Sequence, residues 1–188
     1  MVSGKVYLVG AGPGAADLLT VRAVDVLARA DIVFHDALIN HETLAHCPAE
    51  CVLVPVGTRG GFRIPHRQER IHELLADAAG RYAVIVRLKG GDPGVFGRGG
   101  EELEFLAARG IPWEVVPGIS AGIGGLSLLG FPVTHRDVSS SVTLLTGSRT
   151  TTGMFDELPL SAPLTPSQTL VFYMSFQHGH AVARTLMA

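Results

Sequence analysis

The stretch Arg87-Leu88-Lys89-Gly90-Gly91-Asp92-Pro93-Gly94-Val95-Phe96-Gly97-Arg98-Gly99-Gly100-Glu101-Glu102 gathers cations, carboxylates and glycines on one short piece of chain. Lys89 and Arg98 offer donors, and Asp92 and Glu101 offer acceptors. Every glycine costs conformational entropy on folding, so a loop this rich in glycine points to a backbone that must come close to a ligand. The plain alternative is a long polar surface loop. An apolar run, Tyr82 to Val86, comes before it and reads as a buried parallel strand. Leu103, Leu106 and Ala107 follow at helical spacing, up to Gly110. A loop between a strand and a helix lies at the sheet edge where open α/β folds bind ligands.

A second glycine loop, Gly10-Ala11-Gly12-Pro13-Gly14-Ala15, follows the apolar strand Lys5 to Val9. It fits the dinucleotide pattern G-x-G-x-x-G/A, which raises a nicotinamide dehydrogenase as one reading. Pro13 argues against it, because proline has no N–H to give a pyrophosphate at a helix start. Asp36 closes the strand Ile32 to Phe34 on the same edge. There it could be a proton acceptor, a ribose ligand or the cap of a turn.

These loops must be held by regular elements, and the apolar pattern supplies them. Strands Lys5–Val9, Ile32–Phe34, Val52–Val54, Tyr82–Val86 and Trp113–Val116 alternate with helical stretches, the rhythm of an α/β fold with a mainly parallel sheet. Pro117-Gly118 breaks that rhythm, so domains 1–116 and 117–188 are expected. The second has a small-residue helix, Ile119 to Leu129, strands Ser141–Leu145 and Thr169–Met174, and a closing helix from Ala181. Arg149 to Gln168 reads as a loop. No further strand covers the last elements, so this α/β domain reads as C-terminally incomplete.

The chain has 188 residues, 47% hydrophobic and 17% charged, with a net charge of -2. It can build a core, and its bulk charge gives no sign of nucleic-acid binding. No apolar run is long enough to span a bilayer. Cys47 and Cys51 have no partner pair, and the eight histidines show no ligand spacing, so no metal is expected. A reducing, cytoplasmic compartment is the default for such cysteine usage.

Several motifs taken together resemble the tetrapyrrole (corrin/porphyrin) methylase family. They are Gly10-Ala11-Gly12-Pro13-Gly14, Asp36, Arg87 to Pro93, Phe96 to Glu102, Pro117-Gly118-Ile119-Ser120-Ala121, Thr134-His135-Arg136 and Phe172-Tyr173-Met174. The resemblance implies two α/β domains and S-adenosylmethionine as methyl donor, with no metal. It implies C-methylation of uroporphyrinogen III to precorrin-2 in sirohaem, cobalamin or haem d1 biosynthesis, by a homodimer. By matching position, the donor would touch Pro13, Gly90, Gly91, Asp92, Val95, Ser120, Ala121 and Met174. Asp36 takes the family's proton-acceptor position, and Arg98 and Glu101 would join it in catalysis. Arg59, His135 and Arg136 would bind substrate carboxylates. The position of the family's proton-donor lysine is Thr58 here. A later precorrin methylase and a ligand-binding chain without turnover are the remaining alternatives.

Overall fold

Side chains of the first strand, β1 (Lys5–Gly10), alternate between two apolar clusters, and this alternation organises the sheet. Tyr7 and Val9 face one cluster with Val33, Val86, Leu88 and α1 (Val21–Leu27). Val6 and Leu8 face the other, with Phe34, Ile85, α2 (Arg67–Ala79) and α3 (Gly99–Ala108). Strands β2 (Ile32–His35), β3 (Val52–Pro55), β4 (Val84–Lys89) and β5 (Trp113–Val116) complete a sheet in the order β3-β2-β4-β1-β5. Every pairing in it is parallel. The three inner strands, β2, β4 and β1, are covered on both faces, which is why their apolar residues run on without alternation. The α/β class with a parallel sheet is as expected.

This computed structural model describes residues 4–57, 66–147 and 165–187. The chain divides into two compact units, Met1–Gly124 and Gly125–Ala188. The division falls inside α4 (Ala121–Leu128), beyond the Pro117-Gly118 break. Gly124 stays with the first unit because it packs tightly: a Cβ there would lie 2.3 Å from Ile119 Cγ2 and 3.3 Å from Pro13 Cγ.

One boundary differs from the sequence reading in a way that matters for the site. The fourth strand starts at Val84 and runs on through Arg87, Leu88 and Lys89, which had been assigned to the loop. Charged residues read as loop because burying a charge is costly. Here Arg87 and Lys89 are only 3% and 2% exposed, and carboxylates on neighbouring elements compensate them.

In the second unit, β6 (Ser141–Thr146) and β7 (Gln168–Tyr173) pair in parallel, Ser141 opposite Gln168 and Thr146 opposite Tyr173. A hydroxyl pair, Ser139 Oγ and Thr169 Oγ1 at 2.6 Å, ties the entries of the two strands together. α5 (Gly179–Met187) follows a short turn of 3-10 helix. Among the described residues no helix is long and apolar enough to cross a membrane.

Candidate functional site

Three loops at the C-terminal edge of the first sheet are laced together by their own backbones. Gly12 N donates to Gly91 O at 3.2 Å, and Gly91 N donates back to Gly12 O at 2.8 Å. Ala11 N donates to Lys89 O at 2.7 Å. The loop after β5 enters the same crossing: a Cβ on Gly118 would sit 2.3 Å from Gly91 O and 2.7 Å from Gly10 Cα. So Gly10 and Gly118 are glycines because three chains pass too close for any side chain, and the partner in that approach is another backbone, while Gly91 is one for its φ of +67°. Two of the amides a dinucleotide loop would offer a pyrophosphate, Ala11 N and Gly12 N, are engaged within the protein.

Asp92 locks this crossing. Its Oδ1 accepts from Gly94 N at 2.8 Å, folding the loop back on itself, and its Oδ2 accepts from Gly118 N at 3.0 Å. A carboxylate gripping two N–H groups makes charge-assisted bonds, stronger than neutral ones. Gly90 is the exception in the motif. It is exposed, its backbone dihedrals suit any residue, and a Cβ added there would meet nothing within 4 Å. Gly91 carries a φ of +67° and lies close to the next loop, with its Cβ direction 3.5 Å from Ala121 N and 3.8 Å from Ser120 Cα. Gly90, Gly91, Asp92, Ser120 and Ala121 are thus gathered at one edge, with Pro13 next to Gly12 on the first loop. Val95 N donates to Asp92 O at 3.2 Å, which keeps that residue on the same fold of chain.

Beneath the loop lies a buried cluster of charge. Arg87 and Lys89 share the face of β4 that carries Ile85, directed at α2 and α3. Glu102 on α3 is fully buried and accepts from both: Lys89 Nζ at 3.0 and 2.9 Å, and Arg87 Nε at 3.1 Å. Gln68 Nε2 on α2 donates to the same carboxylate at 3.1 Å. Arg87 then reaches the other way. Its Nη2 donates to Asp36 Oδ1 at 2.5 Å, and its Nη1 donates to Leu88 O at 3.1 Å and Phe34 O at 3.4 Å. Two cations and two carboxylates cancel. Burial works to lower the Arg87 pKa, yet the Asp36 and Glu102 charges outweigh it and hold the guanidinium above its ordinary value. Burial, with Arg87 alongside, pushes Lys89 below its ordinary value despite the pull of Glu102. The sequence reading placed Lys89 as a loop donor; it is instead engaged under the loop by Glu102.

The signal for this cluster was in the sequence. Ile85, Arg87 and Lys89 keep the period of a strand face, and Glu102 and Leu106 share one helix face at i, i+4. A charged residue taken singly reads as loop, which conceals one that is paired in the interior.

Asp36 sits just past β2, with a side chain 31% exposed, and its amide donates to Leu88 O at 3.1 Å. Gly57 packs against it so closely that a Cβ would lie 2.9 Å from Asp36 Cα. Arg98 and Glu101 form a two-point ion pair at the start of α3, at 2.8 and 2.6 Å, with both side chains about half exposed. The Arg98 hydrogen bonds hold the Glu101 carboxyl below its ordinary value. In the second unit, His135 Nδ1 accepts from Asp137 N at 3.3 Å, and Arg136 is exposed. Met174 lies just past β7 in a left-handed conformation, φ 54°, and is 58% exposed. Arg59 and Thr58 lie outside the described residues. A cavity of about 430 Å³ lies at the far end of the sheet, lined by Arg29, Asp31, Glu50 and Tyr82 among others, and none of the expected site residues lines it.

A parallel sheet with interlocked glycine loops and a carboxylate at its C-terminal edge defines an α/β protein that takes its ligand at that edge. The chain belongs to the Tetrapyrrole (Corrin/Porphyrin) Methylases, whose pattern it matches over residues 5–188. It is 43% identical to the uroporphyrinogen-III C-methyltransferase of Bacillus subtilis, over 98% of this chain and 71% of that protein. It is 49% identical to a siroheme synthase of Pseudomonas fluorescens, over 93% of this chain, which spans 37% of that protein's length. Among solved structures, the uroporphyrin-III C-methyltransferase of Thermus thermophilus in complex with S-adenosylhomocysteine superposes with a TM-score of 0.80 at 38% identity, covering 98% of this chain and 72% of that one.

Proposed function

We propose that this chain carries out the S-adenosylmethionine-dependent C-methylation of uroporphyrinogen III, giving precorrin-2 by way of precorrin-1. The observation that carries the reading is the contrast within the glycine motif: Gly10, Gly91 and Gly118 serve the chain crossing, and Gly90 opens onto free space. The donor, when bound, supplies a methyl group on a positively charged sulfur. The residues present suit such a group. Arg87 and Lys89, the cations just before Gly90 in the chain, are neutralised by Asp36 and Glu102, so neither opposes a sulfonium there. Backbone groups around Gly90 and Ala121 would hold the donor, with Pro13, Gly91, Asp92, Val95, Ser120 and Met174 as the remaining contacts.

Methyl transfer to a pyrrole carbon needs alignment and exclusion of water more than covalent help. The Asp92 clamp supplies rigidity at the loop that would align the donor. The methylated ring is a cation and must lose a proton; that C–H bond breaks, its electron pair returns to the ring, and an Asp36 carboxylate oxygen takes the proton. Arg59, His135 and Arg136 would grip the substrate's carboxylates, arginine doing so with two parallel bonds. Glu101 is the alternative proton acceptor, and Arg98, paired with it, would supply a further cation for the substrate's carboxylates.

The nicotinamide reading loses its basis, because Gly12 N and Ala11 N are bonded to the β4 loop. The half-buried free thiols of Cys47 and Cys51 support a reducing cytoplasmic setting. Exposed Leu128, Leu129 and Phe131 on the second unit support a homodimer. The test is incubation with uroporphyrinogen III and S-adenosylmethionine, followed by product mass. Successive methyl additions are expected, and unchanged substrate with the donor bound would refute the activity.

A further inference from the structure

We infer that Arg87 is a positioning residue for the proton acceptor Asp36, and that buried Glu102 fixes Arg87 in that role. The inference rests on the proposed function, since it needs Asp36 to act on the substrate.

The geometry is one-sided in an informative way. The Arg87 side chain is 3% exposed and Asp36 31%, so within this pair the charge that meets solvent is the carboxylate at the ligand edge. Arg87 grips one oxygen, Oδ1, at 2.5 Å. Oδ2 has no hydrogen bond to another described residue, and it is the oxygen left to receive a proton. A guanidinium is planar and rigid, so the direction of its Nη2 donor fixes the direction of the carboxylate it holds. That plane is set from behind. Glu102 Oε1 accepts from Nε at 3.1 Å, and Leu88 O accepts from Nη1 at 3.1 Å. Glu102 is itself immobilised by Lys89 and Gln68, on β4 and α2. Thus Asp36 is aimed by a chain of bonds anchored in three elements, and its own strand contributes only the backbone.

Burying such a cluster is weak support for stability, since well-packed apolar residues often serve as well or better. A role in aiming Asp36 gives a reason for ions in this place. Lysine at position 87 would keep the charge and lose the planar fork, so it separates charge from direction.

The test is a double-mutant cycle in the full chain, with methyl transfer to uroporphyrinogen III followed in single turnovers and donor affinity followed by calorimetry. Arg87→Lys is expected to slow the turnover rate about 100-fold with donor affinity within about twofold, the scale of a misplaced acid–base group. Asp36→Asn should slow it at least as much. In the Asp36→Asn background, Arg87→Lys should have no further effect, because its target has gone. Glu102→Gln gives a second cycle against Asp36→Asn should Arg87→Lys fail to fold, with the same non-additivity expected. Losses that multiply in the double mutants overturn the inference and leave the proposed function standing. Wild-type rates in Asp36→Asn remove Asp36 as the proton acceptor and overturn the inference with it, whereas no turnover by the wild-type chain overturns the proposed function itself.

Discussion

Replacing Asp92 with alanine removes the clamp across the three loops, and its cost follows from the two bonds observed. Each is a carboxylate–amide bond, at 2.8 Å to Gly94 N and 3.0 Å to Gly118 N. A hydrogen bond to a charged group contributes about 1.5–3 kcal/mol net. Asp92 is half-buried, so water recovers part of the loss, most readily at the exposed Gly94 side. The Gly118 amide is less accessible and packed against Gly10 and Gly91, where a lost partner is harder to replace. The expected destabilisation is therefore about 2–4 kcal/mol. For a chain of this size that is a fall in thermal midpoint of roughly 5–15 °C. Asp92→Asn keeps one acceptor oxygen and should lose about half as much. Urea unfolding should show a lower midpoint at an unchanged slope, with donor affinity reduced as the loop edge shifts. An Asp92→Ala variant melting within about 2 °C of wild type would refute the clamp. If that variant also lost donor affinity, Asp92 would be a direct ligand and nothing more.

Other substitutions sort the glycines and the charges. Gly118→Ala should destabilise by about 1–3 kcal/mol or more, since its Cβ would fall 2.3 Å from Gly91 O. Gly90→Ala should leave the thermal midpoint within about 2 °C and weaken donor binding, as calorimetry would show. Glu102→Ala strands Lys89 in the interior and leaves Arg87 with Asp36 as its one carboxylate partner, and should cost about 3–5 kcal/mol in denaturant unfolding. Glu101→Gln, at an exposed pair, should change stability by less than about 1 kcal/mol, so any large loss of turnover would reflect chemistry. Burial, with Cys51 beside it, raises the Cys47 thiol from 9.0 to about 12. A thiol protonated longer in the fold than in the open chain stabilises below pH 9.0. That contribution is lost as pH rises from 9.0 toward about 12, so the thermal midpoint should fall there, and less so in Cys47→Ala.

What the sequence by itself determined is the layout. Alternating apolar runs gave the strand and helix order, because side-chain periodicity is a local property that burial enforces at each element. The motif order from Gly10 to Met174 was enough to place the family, and Asp36 and the glycine loops fell at the ligand edge because parallel strands end there. Tertiary structure alone decided what each of those residues does. Gly10 and Gly118 lie more than a hundred positions apart in the chain, and only the order β4-β1-β5 brings them within van der Waals reach around Gly91. The dense glycine motif looked uniform in sequence, yet Gly91 serves a chain crossing and Gly90 faces open space. Arg87 and Lys89 looked like loop residues because a lone charge belongs in water. They belong to a strand interior because Glu102, Gln68 and Asp36 arrive from α3, α2 and the end of β2 to meet them. A buried charge can be tolerated only in company, and that company is assembled by folding.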